Sequence, residues 1–303
     1  MIFLSLALAL LIEQQWPLRG GNPVYAGFAR HVSRLARGFS AGGGVISWLL
    51  AVVPSMLATM VVSWLLHRAG GVFMLVWNVG VLYLALGFRH FSYFYTDIAQ
   101  ALQRGDLARA RDLVGEWRGR QAAELDENEV ARVAIELGLT YSHRHVFGVI
   151  AWFLVLGPAG AIGYRLSALL AARWGDTHDD ERPVSGQFAR RAYQIIDWIP
   201  ARLTALGFAA AGDFMGAVEC WRDQAADWPE PNHGVVLAAG AGALGVRLGG
   251  MLYRENGIEE QRPLLGDGGE AGLDYMQAAI GLIWRALVLW MFLILLATIA
   301  SRL

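Results

Sequence analysis

Several short stretches of this chain place chemically capable residues close together. Gly38-Phe39-Ser40-Ala41-Gly42 has the spacing of a nucleophile elbow, which needs a strand before it and a helix after it. Here a basic helical face precedes it and an apolar run follows, so it reads as a glycine-rich joint. Gly240-Ala241-Gly242-Ala243-Leu244-Gly245 has dinucleotide-fingerprint spacing, with Glu259 and Glu260 further on. No parallel-sheet pattern surrounds it. The same segment carries Ala241, Gly245 and Gly249 four apart, a spacing that lets helices approach closely. His143-Arg144-His145 sets two histidines on different sides of a helix with a cation between them, which suits polar anchoring better than metal binding. Asp176, His178, Asp179, Asp180 and Glu181 could hold a hard cation, but such a run reads first as a solvated loop. Cys220, flanked by Glu219 and Trp221, has no neighbouring cation to stabilise a thiolate and reads as packing.

The cations narrow the chemistry further. All 25 basic residues are arginine and none is lysine, which removes Walker-type phosphate loops, Schiff-base chemistry and a lysine base. An anion here is held by guanidinium groups or backbone N–H groups. The net charge of −1 and the lack of a basic stripe with aromatics argue against nucleic acid as a partner. A single cysteine allows no intrachain disulfide.

The elements that must position these residues are apolar helices. The chain is 55% hydrophobic and only 17% charged, against about 25% charged in ordinary soluble domains. Val45–Leu66, Val72–Phe88, Val146–Tyr164 and Ile280–Ala300 approach the roughly 20 residues that cross a bilayer core. Trp48, Trp64, Trp284 and Trp290 add interface-type aromatics. Met1–Ile12 is apolar but short and reads as an uncleaved span or half-span. Ile199–Val218 and Val235–Leu252 fit either a span or a surface-packed segment. Gly157-Pro158-Ala159-Gly160 breaks the third segment, so re-entry competes with a simple crossing.

Arg19, Arg30, Arg34 and Arg37 precede the first apolar hairpin; Arg104, Arg109, Arg111, Arg118 and Arg120 follow it. Both groups then fall on one side, expected to be cytoplasmic. Ala26–Arg37 has the face separation of a surface-lying helix. Within 89–145, Leu107, Ala110, Val114 and Trp117 repeat at helical spacing, and Asp126 with Glu129 forms a capping-box pattern. Gly266–Gly272 reads as a mobile loop. Asn78, mid-span, needs a buried partner, whereas Arg285 sits near enough to an end to snorkel. The expectation is an all-α, polytopic membrane protein with about four to six membrane segments and amphipathic cytoplasmic helices. It forms one domain over 1–303: spans and surface helix 1–88, polar insertion 89–145, re-entrant or spanning segments 146–252, loop 253–278 and C-terminal span 279–303.

Several pieces, in this order, resemble the CobD/CbiB cobalamin-biosynthesis family and its AmpE-like relatives. They are Gly105-Asp106 with Ala110-Arg111, Gly119-Arg120, the helix reaching Glu136, Gly157-Pro158-Ala159-Gly160-Ala161 with Tyr164-Arg165, and Asp197-Trp198-Ile199-Pro200-Ala201-Arg202-Leu203. In the synthase branch the resemblance implies amide formation between adenosylcobyric acid and an aminopropanol phosphate, using ATP and Mg²⁺. It also implies a bacterial inner-membrane, multi-pass protein. Where the family pattern carries acidic or amide residues, this chain has Gln121, Thr140, Tyr141, Arg144, Ala168, Ala171, Tyr193 and Gln194. Arginines persist while carboxylates are lost.

That pattern, and the Ile-Asp-Trp-Ile-Pro form of the last motif, favour the AmpE-like branch. The expected function is then a regulatory or ligand-sensing membrane protein with an arginine-rich anion site, leaning away from catalysis. The alternative is the adenosylcobinamide-phosphate synthase. Candidate ligand contacts are Arg111, Arg120, Glu136, Tyr164, Arg165, Asp197 and Arg202, with Asp197 orienting Arg202; no metal ligand or catalytic residue is assigned. Under the synthase alternative, Mg²⁺ and ATP are the co-reactants, and Asp106, Glu136, Asp197 or the 176–181 acids stand in as metal ligands. Expected partners are the lipid bilayer, a phosphorylated or carboxylated small molecule, and another membrane protein.

Overall fold

The computed structural model describes residues 1–16, 44–86, 88–119, 122–175, 184–253 and 259–301. In chain order the helices are α1 (Ile2–Gln15), α2 (Gly44–Ala69), α3 (Gly71–Ala85), α4 (Phe88–Gln103), α5 (Leu107–Arg118), α6 (Glu127–Ser142), α7 (Gly148–Gly175), α8 (Val184–Ile196), α9 (Trp198–Ala211), α10 (Phe214–Gln224), α11 (Pro231–Leu244) and α12 (Leu273–Ala300). A π-helical turn, His143–Phe147, joins α6 to α7, and two antiparallel strands, β1 (Leu248–Tyr253) and β2 (Glu259–Leu265), precede α12. The protein is an all-α membrane protein in class. The helices α2 and α12, and the apolar stretch within Glu127–Ala172, are long and apolar enough to cross a bilayer; α1 and α3 are shorter apolar helices. The surface helix expected at Ala26–Arg37 and the joint at Gly38–Gly42 lie outside the described residues, as do Arg120 and the 176–181 acids.

The chain divides into two compact units. The first takes in Met1–Phe88, Arg144–Pro200 and Thr298–Leu303. Its core lies where α2, α7 and α8 meet, with Ala51, Val52, Leu170 and Ala189 buried under Trp48, Met56 and Leu166. In α2 the hydroxyls of Ser55, Thr59 and Ser63 each donate to the carbonyl four residues back. In hydrocarbon such internal pairing is the available way to satisfy a hydroxyl. Asn78 of α3 finds the partner its burial demands: its Nδ2 donates to Ser5 Oγ of α1 at 3.4 Å.

The break anticipated in α7 is a reversal. Gly157 sits at φ 61°, ψ −149°, a region essentially closed to residues with a Cβ. Proline at 158 supplies no N–H to carry the helix across. In a straight helix Gly148 and Tyr164 would lie roughly 24 Å apart. Instead, a Cβ on Gly148 would overlap the Tyr164 hydroxyl, and one on Gly160 would overlap the Trp152 carbonyl. The two limbs therefore fold back on each other, and Val146–Tyr164 is not one straight span. Leu154, Val155 and Leu156 at the tip are exposed.

The second unit takes in Arg89–His143 and Ala201–Ala297. The expected capping box opens α6: Asp126 accepts from Glu129 N–H, and Glu129 accepts from Asp126 N–H. The periodic face of α5 is buried through Ala110, Leu113, Val114 and Trp117. Trp117 stacks with Phe94 of α4 and meets Tyr95 and Tyr141 edge-on.

Three sequence expectations are corrected in this unit. Ile199–Val218 is not one segment, because Asp213 ends it. Its Oδ1 accepts from the N–H groups of Met215 and Gly216 and starts a new helix, α10. Val235–Leu252 is not one segment either. Gly245, at φ 62°, closes α11 in the left-handed conformation that glycine adopts without strain, and β1 follows. Within α11 the glycines serve close packing, since a Cβ on Gly242 would overlap the Gly216 backbone of α10. The stretch that carries the dinucleotide spacing is therefore the end of a helix, helical from Gly240 to Leu244 and capped by Gly245. Finally, 253–278 contains β2 and the start of α12, and the glycine-rich part of it is tied down. Arg247 N–H donates to Gly269 O and Gly269 N–H to Gly245 O. Side chains at Gly266 or Gly268 would overlap Val246 or Gly245 carbonyls. Two backbones held that close leave no room for the mobile loop expected from composition.

Candidate functional site

In the first unit a buried polar cluster forms where the returning limb of α7 meets the end of α8. The Tyr164 hydroxyl donates to Asp197 Oδ1 at 2.8 Å and stands 3.2 Å from the Tyr193 hydroxyl. Tyr164, Tyr193 and Asp197 are all buried, Asp197 completely. The Arg144 guanidinium lies 5.6 Å from the centre of the Tyr193 ring. Burial pushes the Tyr193 phenol above its ordinary range; the nearby Asp197 carboxylate adds to this, and Arg144 opposes it. A carboxylate out of water needs partners of this kind, and Tyr193 is held as the neutral phenol. Beside the cluster, Arg165 places a terminal nitrogen 3.4 Å from His145 Nε2. Arg165 Nε is buried without a hydrogen-bond partner among the described residues.

Of the candidate residues, the structure thus brings Tyr164 and Asp197 together and sets Arg165 beside His145. Asp197 accepts from Tyr164, and Arg202 donates to Asn232 Oδ1 at 3.3 Å. Arg111 Nε donates to the Leu125 carbonyl at 2.6 Å and fastens the α5–α6 turn. Arg120 lies outside the described residues.

In the second unit Glu136 makes a forked ion pair. Both its oxygens receive the Arg262 guanidinium, at 2.6 and 3.1 Å, and Oε1 also accepts the Gly249 N–H at 2.8 Å. The bulge between Gly249 and Gly250 turns that amide toward the carboxylate. Beside this pair opens a cavity of about 220 Å³ lined by Asn128, Glu129, Arg132, Arg247, Leu248, Gly249, Leu264, Glu270 and Ala271.

These geometries bear on Mg²⁺. Glu136 is committed to Arg262 and Gly249. Asp106 caps α5 by accepting from Arg109 N–H, and Asp197 accepts from Tyr164. Among the described residues no three His, Cys, Asp or Glu side chains gather as a cation site. Asp106, Glu136 and Asp197 are thus each engaged by hydrogen bonds and gather no cation site among the described residues, the 176–181 acids lie outside those residues, and no step is routed through a divalent ion.

Sequence reasoning does not single out Arg262 and Glu270, which lie in the 253–278 stretch that reads as loop, nor Arg132 and Arg247, whose segments read as helical with no partner in sight. A signal was present: the apolar triplet Met251-Leu252-Tyr253 and Pro263-Leu264-Leu265 bracket a polar stretch, as in a hairpin. In the sequence Arg144 reads as the cation between two histidines, and both Arg144 and Tyr193 as places where family acids are lost. Their contact in space was not readable from separations along the chain.

The fold and these sites define a helical membrane protein with guanidinium-centred polar clusters. The family model for CobD/CbiB proteins matches residues 3–283, and the chain belongs to the CobD/CbiB family. It is 38% identical over 304 residues to the cobalamin biosynthesis protein CobD of Stutzerimonas stutzeri, covering 97% of both chains. It is 38% identical over 308 residues to the protein of that name from Chromobacterium violaceum, covering 98% of this chain and 96% of the other. To the Klebsiella pneumoniae protein of that name it is 31% identical over 271 residues, covering 85% and 82%. No solved structure matches.

These relatives overturn the expectation of an AmpE-like regulatory or signalling protein. That expectation weighed a few substituted acids above the whole length of the chain. Likeness over nearly the entire sequence to proteins named for cobalamin biosynthesis points to the biosynthetic branch, and the leaning away from an enzyme goes with it.

Proposed function

We propose that the protein is the amide-forming synthase of cobalamin biosynthesis, joining an aminopropanol phosphate to adenosylcobyric acid with ATP and Mg²⁺ as co-reactants. The observation that carries this reading is end-to-end similarity, 38% identity across 97% of both chains, to a protein named for that pathway. The chain's own chemistry supports it. Amide formation from a carboxylate consumes a phosphoryl donor, so several anionic groups must be neutralised together. With no lysine in the chain, guanidinium forks carry that task. Arg165, whose buried Nε lacks a partner among the described residues, is the leading contact for an anionic part of the reactants. The Tyr164–Asp197 pair holds the helix limb that carries Arg165. A bacterial inner-membrane, multi-pass location belongs to the same proposal.

The test is turnover by the purified full chain in detergent. Adenosylcobyric acid, aminopropanol phosphate, ATP and Mg²⁺ are supplied and the amide product is followed by mass spectrometry. Product above a no-protein control, lost on omitting ATP, supports the reading. A folded, monodisperse protein that yields none overturns it.

A further inference from the structure

The 220 Å³ cavity beside the hairpin is not used by any contact described above, and its lining is unusual in balance. It presents two guanidinium side chains, Arg132 and Arg247, two carboxylates, Glu129 and Glu270, and the Asn128 amide. Two of these charges are already engaged. Glu129 closes the capping box and lies 3.5 Å from Arg132, whose NH2 donates to the Met251 carbonyl at 2.7 Å. Arg247 and Glu270 have no side-chain partner among the described residues, and Arg132 Nε is buried without one.

Arg247 and Glu270 are exposed, but they are not carried on free loops. The bonds Arg247 N–H to Gly269 O and Gly269 N–H to Gly245 O, at 2.8 and 3.0 Å, bracket the two residues on adjacent backbones. Gly266 and Gly268 let those backbones meet where any side chain would collide. A cation and an anion are thereby fixed at one mouth, with Arg132 in the lining beside them. At about 220 Å³, the space is below the roughly 300–1,000 Å³ typical of drug-sized ligands.

The geometry points to this cavity as the binding site for a small zwitterion, its anionic end on Arg247 and Arg132 and its ammonium on Glu270. A net-neutral lining with separated charges rejects a simple anion or a simple cation, each of which leaves one pair of groups facing a like charge. Resting on the synthase reading, the occupant is the amine-bearing phosphate co-substrate; an α-amino acid shares the chemistry.

The experiment is calorimetric binding to the full chain in detergent with ATP and adenosylcobyric acid absent. The probes are aminopropanol phosphate, threonine, propyl phosphate and aminopropanol. The two zwitterions bind more tightly than the probes that carry charge of one sign only, and the stronger of them identifies the source of the ligand. Glu270→Gln weakens the zwitterion by about tenfold or more and leaves propyl phosphate bound as tightly or more tightly, whereas Arg247→Gln weakens both. Zwitterions no tighter than propyl phosphate, or affinities unchanged in both variants, overturn the proposal. Turnover by the unmodified protein separates this from the synthase reading. Variant-sensitive binding without turnover keeps the cavity and sinks the synthase. Turnover with variant-insensitive binding does the reverse.

Discussion

Glu136 accepts a forked guanidinium from Arg262, a residue 126 positions later, and both side chains are largely withdrawn from water, at 8% and 14% exposure. Removing one member of such a pair strands the other charge in a low-dielectric place, which costs about 3–5 kcal/mol. Glu136→Ala is therefore expected to lower the thermal midpoint in detergent sharply. The double variant with Arg262→Ala should recover part of that loss, since it leaves no orphan charge. Equal midpoints for wild type and Glu136→Ala would contradict the account. At the same scale, Cys220 is buried on α10, and burial, followed by the nearby Asp267 carboxylate, pushes its thiol pKa up. It should alkylate with iodoacetamide at neutral pH more slowly than free cysteine, with labelling appearing only as the protein unfolds. Fast labelling of the native protein would show that the thiol is open and ionised.

At the scale of elements, the helical hairpin in α7 depends on one backbone conformation. Gly157→Ala forces a Cβ into a φ 61°, ψ −149° position, at a cost of about 1–3 kcal/mol. Gly148→Ala would push the Tyr164 ring away from Asp197. Both should lower the detergent midpoint, whereas Gly80→Ala in α3, which meets nothing within 4 Å, should not. How much of this was legible in the sequence follows from what each element depends on. The Asp126–Glu129 box, the α5 face, the break at Gly157 and the need of Asn78 for a partner were readable, because each depends on residues within a turn or on hydrocarbon exposure alone. The β-hairpin left only the faint signal of two apolar triplets around a polar stretch, because its ladder is short and its middle is polar, and nothing local tells that Glu136 meets Arg262. The Arg144–Tyr193 and Tyr164–Asp197 contacts were hidden for the same reason: separation along the chain carries no record of which helix faces are apposed.

At the scale of the whole molecule, the exposed residues of α2 and α12 include Val45, Ile46, Leu49, Leu50, Leu57, Val288, Phe292, Leu293 and Leu296. Apolar surface of that extent belongs against lipid. The protein should stay with the membrane pellet through an alkaline carbonate wash and be released only by detergent. Release by carbonate would show that it lies on the bilayer surface. The family's chemistry, by contrast, was misjudged from sequence because a handful of substituted acids was weighed as loss of function. End-to-end likeness to cobalamin biosynthesis proteins outweighs them, since positions that give up a carboxylate, such as Arg144 and Tyr193, here form a partnered cluster of their own.

One proton offers a way to watch the hairpin breathe. The Gly249 amide hydrogen points into the Glu136 carboxylate under cover of its neighbours and borders the mixed-charge cavity. In heavy water it can swap for deuterium only when β1 lifts away, so its exchange rate clocks that opening. An occupant seated next door would slow the clock without touching it.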